Sequence, residues 1–101
     1  MGKLFSEARA AIEKCAVGCD YYAAHGEGQL SDELIESDAG RSLLTYQPLG
    51  TILAGMPWNF PFWQLIRAAA PALIAGNTVV MKHASNVPQC AMAIDSIFRE
   101  A

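Results

Sequence analysis

Residues 51–61 read Thr-Ile-Leu-Ala-Gly-Met-Pro-Trp-Asn-Phe-Pro, and the rest of the chain is organised around them. The run opens with apolar residues of strand type and breaks at Pro57. Pro61 suits the first turn of a helix, because the N–H that proline lacks would have no intrahelical partner there. Trp58 and Asn59 therefore lie between the carboxyl end of a strand and the amino end of a helix. Open α/β sheets bind ligands at such corners, where the helix adds free N–H groups and partial positive charge.

The residues that follow predict a second strand and two helices. Residues 62–75 carry apolar side chains at helical spacing, and Gly76 provides a stop. Residues 78–81 are short, apolar and β-branched, which is typical of a buried strand, and residues 82–86 form a polar loop. Pro88 begins another helix. The apolar positions of the two helices are Leu65, Ile66, Ala69 and Leu73, then Ala91, Ile94, Ile97 and Phe98.

This order of elements predicts an α/β fold, with a β-α-β-α unit of the kind that builds a doubly wound parallel sheet. A right-handed crossover would place the two strand ends, at Asn59 and at residues 82–86, side by side.

The first half of the chain predicts a long helix and an extended segment. Residues 3–24 are amphipathic, and Gly26 and Gly28 are predicted to end the helix. The predicted apolar stripe comprises Phe5, Ala8, Ile12, Cys15, Ala16, Cys19 and Tyr22. Residues 29–40 are polar and acidic, which favours a solvated loop or exposed strand over a metal site, and residues 41–47 alternate as a strand does. The predicted division is a helix (1–28), a loop with an extended strand segment (29–50) and the β-α-β-α unit (51–101).

Composition limits the possible functions. The chain has 101 residues, 52% of them hydrophobic and 17% charged, which is an apolar excess for one small domain and favours a homo-oligomer or part of a larger body. A net charge of −3 without a basic patch argues against nucleic acid. The absence of an 18-residue apolar run and of a signal peptide argues against a membrane. Cys15, Cys19 and Cys90 lack metal spacing, so they predict packing, no metal, and a reducing, cytoplasmic setting.

Several segments carry a resemblance to a known family. They are Leu49-Gly50, Pro57-Trp58-Asn59-Phe60-Pro61, Ala70-Pro71-Ala72-Leu73, Ala75-Gly76-Asn77-Thr78-Val79-Val80 and the loop from Lys82. With them the whole chain resembles the aldehyde dehydrogenase superfamily, whose spacing the 23-residue step from Asn59 to Lys82 also matches. Residues 82–88, Lys-His-Ala-Ser-Asn-Val-Pro, are most similar to the succinate-semialdehyde dehydrogenases.

The resemblance implies a partial Rossmann-like cofactor-binding domain and a set of site residues. Asn59 is implied to hold the oxyanion of the tetrahedral intermediate. Contacts with NADP or NAD are implied for Met56, Pro57, Trp58, Asn59, Lys82, His83, Ala84 and Ser85. The implied activity is NAD(P)-dependent oxidation of an aldehyde, succinate semialdehyde, to its carboxylate.

Each of these residues also has an ordinary structural interpretation. The Asn59 amide offers two N–H donors to an oxyanion, but an Asn before a helix is commonly an N-cap or a turn residue. Lys82 suits a ribose hydroxyl or a phosphate, or simply ends a strand at the surface. Trp58 lines the nicotinamide ribose or packs in the core. Ser85 stands where NAD-preferring members often carry Glu, so it leaves room for the 2′-phosphate of NADP. His83 has no predicted partner and contributes backbone and shape.

Three parts of the family pattern are missing from these 101 residues. No cysteine lies in a Gly-Gln-X-Cys-type segment for the nucleophile, no Glu-Leu-Gly-Gly-type segment supplies a general base, and no glycine-rich turn holds a pyrophosphate. We therefore expect a fragment of such an enzyme that is inactive alone. The alternative is a non-catalytic interaction module that assembles with itself or with a full-length relative.

Overall fold

A computed structural model describes residues 2–101, and it has the predicted order of elements. The elements are α1 (Phe5–Gln29), β1 (Glu33–Ile35), β2 (Ser42–Leu44), β3 (Thr51–Met56), α2 (Pro61–Ile74), β4 (Thr78–His83) and α3 (Pro88–Glu100). The prediction of an α/β fold with a long helix, an extended segment and a β-α-β-α unit is confirmed.

β3 and β4 form a two-stranded parallel sheet, as the crossover predicted. The register pairs Thr51 with Thr78 at one end and Met56 with His83 at the other, so the two carboxyl ends are adjacent. The description of β4 as a buried strand was wrong, because its residues alternate between exposed and half-buried. Only the face against the helices is covered. The opposite face, which includes the paired Leu53 and Val80, is exposed.

The core lies between α2, α3 and the covered face of the sheet. Its buried residues are Leu65, Ala69 and Ile94, and Phe62, Val79 and Met81 pack against them half-buried. Leu65 and Ala69 are four apart on α2, and Ile94 comes from α3, so the helical spacing predicted these three core positions correctly. Ile97 and Phe98, predicted on the same side of α3, remain largely exposed.

The contact face of α1 differs from the predicted stripe. The residues that are at least half-buried recur at steps of three and four, and they are Ala11, Cys15, Gly18, Tyr22 and Gly26. Of the predicted stripe only Cys15 and Tyr22 belong to this face, whereas Phe5 is 85% exposed and Ile12 and Cys19 are also exposed. Small residues face α2 because they let two helix backbones approach closely, an effect that hydrophobicity alone does not measure.

The prediction that Gly26 and Gly28 end α1 was wrong, because the helix continues through both to Gln29. Gly26 is buried against Ile74 of α2, and a Cβ atom at Gly26 would overlap the Ile74 side chain. Gly18 similarly lies under the Trp63 ring. These glycines are present for close packing between helices rather than for chain reversal.

The end of α2 is closed by hydrogen bonds around Gly76 and Asn77. Gly76 has a φ of 79°, its N–H donates to the Leu73 carbonyl, and the Asn77 N–H donates to the Ala72 carbonyl, which together form a Schellman motif. The Asn77 side chain, only 9% exposed, accepts from the N–H groups of Leu49 (2.6 Å) and Gly50 (3.1 Å). Its Nδ2 donates to the Ala72 carbonyl at 3.1 Å. Asn77 therefore fixes where β3 begins.

β1 and β2 form an antiparallel hairpin that pairs Leu34 with Leu43. This confirms a strand within residues 41–47. In the acidic segment, residues 29–40, Glu33–Ile35 form an exposed strand. The hairpin side chains Leu34, Ile35, Leu43 and Leu44 are all exposed. The described chain is elongated, with extents of 59 × 25 × 24 Å.

Candidate functional site

The corner between β3 and α2 carries Pro57, Trp58 and Asn59, as predicted. The N-cap of α2 is Phe60, which provides no side-chain hydrogen bond, and Pro61 occupies the first turn. The N-cap interpretation of Asn59 is therefore wrong. Within residues 2–101 the Asn59 side-chain amide has no hydrogen-bond partner, and the residue is exposed. Its two N–H donors remain available beside the free N–H groups of the helix start.

Trp58 is 52% exposed, so core packing does not account for it within the described residues. Phe60 is also largely exposed. Two aromatic rings thus flank Asn59 at the surface of the corner, and they are available to pack against a bound molecule or a further segment of protein.

The second predicted group lies next to this corner, at the end of β4. Lys82 and His83 were predicted in a loop, but they are the last two residues of the strand, opposite Gly55 and Met56. Lys82 is exposed on the uncovered face of the sheet. Because the paired residue there is a glycine with nothing within 4 Å of its Cβ position, the space beside Lys82 is open.

The turn after β4 carries Ala84 and Ser85. The Val87 N–H donates to the Ala84 carbonyl at 3.2 Å, which places Ser85 and Asn86 at the exposed tip. The Ser85 hydroxyl is free to donate among the described residues. The eight residues implied as cofactor contacts therefore lie on two adjacent strand ends and the segments that follow them.

His83 has a partner that the sequence did not reveal. Its Nε2 lies 2.9 Å from the Pro61 carbonyl oxygen in the first turn of α2. A carbonyl can only accept, so Nε2 donates this hydrogen bond. Nδ1 is buried and has no hydrogen-bond partner within residues 2–101. The expectation that His83 has no partner was therefore wrong.

Lys3 is a second residue that sequence reasoning missed. Its Nζ donates to the Asn59 carbonyl at 3.1 Å and lies 3.7 Å from the centre of the Phe60 ring. Lys14, on α1, lies with its Nζ 4.2 Å above the Trp63 ring. Nothing local in the sequence signals the Lys3 contact, because the two residues are 56 positions apart.

Electrostatics around the two strand ends favour an anion. Residues 39–94 contain no Asp or Glu, whereas they include Arg41, Arg67 and Lys82. The Lys82 ammonium, the Ser85 hydroxyl and the N-terminus of α2 make a donor set that suits a phosphate group. This chemistry fits the phosphate-bearing end of a nicotinamide dinucleotide.

The cysteines do not contribute to this site. Cys15 is buried between α1 and α2, and burial, with the neighbouring Cys19 next in importance, raises the pKa of its thiol. Cys90 is half-buried, which agrees with packing, but Cys19 is exposed, so its predicted core position was wrong. Among residues 2–101 no three His, Cys, Asp or Glu side chains are grouped so as to hold a metal ion. In the same range no helix has the length and hydropathy that crossing a membrane requires.

Comparison with known proteins agrees with this geometry. The pattern of the aldehyde dehydrogenase family matches residues 1–101, and the chain belongs to that family. It is 58% identical over 101 residues to a protein of Synechocystis sp. named probable succinate-semialdehyde dehydrogenase (NADP(+)). It is 52% identical over 100 residues to the succinate-semialdehyde dehydrogenase (NADP(+)) of Mycobacterium leprae. The chain spans 22% of the length of each of these relatives.

A solved structure supports the same relationship. The succinic semialdehyde dehydrogenase of Streptococcus pyogenes, determined in complex with NADP+, superposes with a TM-score of 0.95 at 42% identity. The alignment covers 99% of this chain and 22% of that one. The family resemblance and the partial Rossmann-like fold inferred from the sequence are therefore confirmed.

Proposed function

We propose that residues 1–101 form one edge of the cofactor and oxyanion site of an NADP-dependent succinate-semialdehyde dehydrogenase. The observation that carries the proposal is the parallel register of β3 and β4, which brings the Asn59 corner and the Lys82–Ser85 group to one edge. Support comes from the relatives, whose names specify succinate semialdehyde and NADP(+). The reaction is the oxidation of an aldehyde to its carboxylate, with NADP as the hydride acceptor.

The residues divide the work by their chemistry. Asn59 donates its side-chain N–H to the oxygen of the aldehyde carbon as that oxygen gains negative charge. Lys82 and Ser85 bind the ribose and the 2′-phosphate, and Trp58 packs beside the nicotinamide ribose. Met56, Pro57, His83 and Ala84 shape the floor between them. The parallel register of β3 and β4 fixes the spacing of the two groups before substrate arrives, which is one condition for electrostatic stabilisation.

We further propose that the 101 residues do not oxidise the aldehyde by themselves. The reaction needs a reactive thiolate and a general base. Cys15 is unsuited to the first role, because a buried thiol with a raised pKa supplies little thiolate. Cys19 and Cys90 lie on helices α1 and α3, outside both loops that form the candidate site. Three unpaired cysteines suit the reducing cytoplasm as the place of action.

The experiment is a chimera in which this chain replaces the matching segment of the Synechocystis relative. We expect the chimera to reduce NADP with succinate semialdehyde, and the isolated 101-residue chain to give the rate of the blank. In the chimera Asn59→Ala should lower kcat by about 10²–10³, the usual cost of one oxyanion donor. Gln89→Ala, an exposed amide on the first turn of α3, is the control and should retain activity. A chimera without activity, or an Asn59→Ala chimera with undiminished kcat, would refute the proposal.

Cofactor preference is tested at Ser85 in the same chimera. A glutamate would repel the 2′-phosphate of NADP, so Ser85→Glu should lower kcat/KM for NADP more than for NAD. Ser85→Ala removes the hydroxyl without adding charge and should have a smaller effect. Equal losses with the two cofactors in the glutamate variant would show that Ser85 does not face the 2′-phosphate.

The exposed hairpin favours assembly as a second role. Leu34, Ile35, Leu43 and Leu44 remain exposed on a two-stranded sheet with two open edges, and such edges pair with other chains. We propose that the chain forms homo-oligomers through this hairpin, either as part of the enzyme or as a non-catalytic module that joins a longer relative. Light scattering at low micromolar concentration should show a dimer or larger species, and a Leu34→Lys change should reduce its mass. A folded, monodisperse monomer of the unaltered chain would exclude this role.

A further inference from the structure

We propose that Lys3 and His83 are positioning residues that hold the Asn59 corner from two sides; as an account of catalysis, this inference rests on the proposed function. Lys3 donates to the Asn59 carbonyl and His83 donates to the Pro61 carbonyl. The two donors come from distant parts of the chain, before α1 and at the end of β4, and their acceptors are two residues apart.

The position of each acceptor explains why the corner needs these donors. The first intrahelical bond of α2 runs from the Gln64 N–H to the Phe60 carbonyl at 2.9 Å. The Asn59 carbonyl lies one residue earlier and has no helical donor, and within residues 2–101 its hydrogen bond comes from Lys3. The peptide that Lys3 holds is the one that links Asn59 to Phe60. The backbone of the residue that would bind the oxyanion is thereby fixed, while its side-chain amide remains free.

The Lys3 ammonium makes two contacts at the surface of the corner. The ammonium lies between a carbonyl oxygen at 3.1 Å and the face of the Phe60 ring at 3.7 Å, so both sides of the charge are satisfied. It also places a positive charge beside the peptide of Asn59, with the sign that favours a developing oxyanion.

The His83 contact fixes the other side of the corner. The imidazole links the end of β4 to the first turn of α2, and its Nδ1 is enclosed with no partner in residues 2–101. The distance between the Lys82 group and the Asn59 corner is therefore set by this hydrogen bond as well as by the sheet register.

The test is amide hydrogen exchange of the 101-residue chain, measured by NMR without cofactor or substrate. The reporter is the Gln64 N–H in the first turn of α2, and the reference is Ala69 in the core of the same helix. Lys3→Met retains the aliphatic stem over Phe60 but removes the donor, and it should speed exchange at Gln64 relative to Ala69 by roughly two- to tenfold. Lys14→Met removes the comparable ammonium over Trp63, which touches no carbonyl of the corner, and should leave the ratio unchanged.

A pair of amide variants tests His83. The Gln side-chain nitrogen reaches the place of Nε2, whereas the Asn nitrogen reaches only that of Nδ1. His83→Gln should therefore preserve the Gln64-to-Ala69 ratio, and His83→Asn should raise it by roughly the same two- to tenfold. General loss of stability would speed exchange at both amides and leave their ratio constant.

The outcomes separate this inference from the proposed function. Unchanged ratios in Lys3→Met and His83→Asn, or an equal effect of Lys14→Met, would overturn the positioning role whatever the activity of the chimera. The expected ratios combined with an inactive chimera would retain the positioning role and refute only the proposed reaction.

Discussion

Gly26→Ala is expected to destabilise the chain, although alanine is the better helix former. Gly26 lies inside α1 and is buried against Ile74 of α2. A methyl group there would overlap the Ile74 Cγ2 and would lie 3.3 Å from both its Cβ and its Cγ1. The Ile74 side chain cannot relieve the overlap by rotating about χ1, because a β-branched residue has one strongly preferred rotamer in a helix. Rotation would also move Cγ1 into the place that Cγ2 leaves. The helices must therefore move apart.

The magnitude follows from two opposing effects. Replacing a mid-helix glycine by alanine stabilises a helix by about 1 kcal/mol. Forcing an extra methyl group into a packed contact costs about 1–3 kcal/mol. We expect a net loss of up to about 2 kcal/mol, which for a domain of this size lowers Tm by up to roughly 16 °C.

Thermal unfolding followed by circular dichroism measures this effect, and the same helix provides the control. Gly28 has nothing within 4 Å of its Cβ position. Gly28→Ala should therefore raise the free energy of unfolding by up to about 0.5 kcal/mol, because the position is near a helix end, and should raise Tm slightly. The Gly26→Ala loss should largely disappear when Ile74→Ala is added, with a coupling energy of about 1 kcal/mol or more in the double-mutant cycle. A Gly26→Ala protein that is as stable as Gly28→Ala would refute the close approach of α1 and α2.

Three further outcomes are expected. Asn77→Ala should lower the free energy of unfolding by about 2–3 kcal/mol in urea titrations, because it leaves partly buried backbone groups unpaired, and Asn77→Asp should recover part of the loss by keeping the acceptor. Maleimide at neutral pH should label the exposed Cys19 readily. It should not label Cys15, whose thiol pKa is raised by burial, until denaturant is added. Equal labelling of the two thiols in the folded chain would contradict the packing of α1. The Asp95 carboxyl accepts a 2.8 Å hydrogen bond from Arg99, which lowers the pKa of that carboxyl. In Arg99→Gln the NMR titration of Asp95 should therefore shift to higher pH. An unchanged titration would show that the pair is absent in solution.

The β-α-β-α unit could be predicted from the sequence because its signals are local. The strand run before Pro57, the proline at the start of α2 and the glycine at its end act within a few residues, and β3 was located to the residue. The adjacency of the two strand ends also followed, since a right-handed crossover allows one arrangement. The candidate site residues around Asn59 and Lys82 could therefore be listed from the sequence, with the family resemblance assigning their roles.

The contacts that hold the site together depend on residues far apart in the chain. The bond from Lys3 to Asn59 spans 56 positions, that from His83 to Pro61 spans 22, and those from Asn77 to the start of β3 span 27 and 28. Hydrophobic periodicity likewise gave the wrong face of α1, because a stripe of large side chains is chosen for its apolar area, whereas α2 packs against small residues that allow close approach. Secondary-structure propensity and hydrophobic pattern depend on neighbouring residues, so they can be judged from the sequence. A long-range hydrogen bond or helix contact forms only after the tertiary fold has brought its two partners close together.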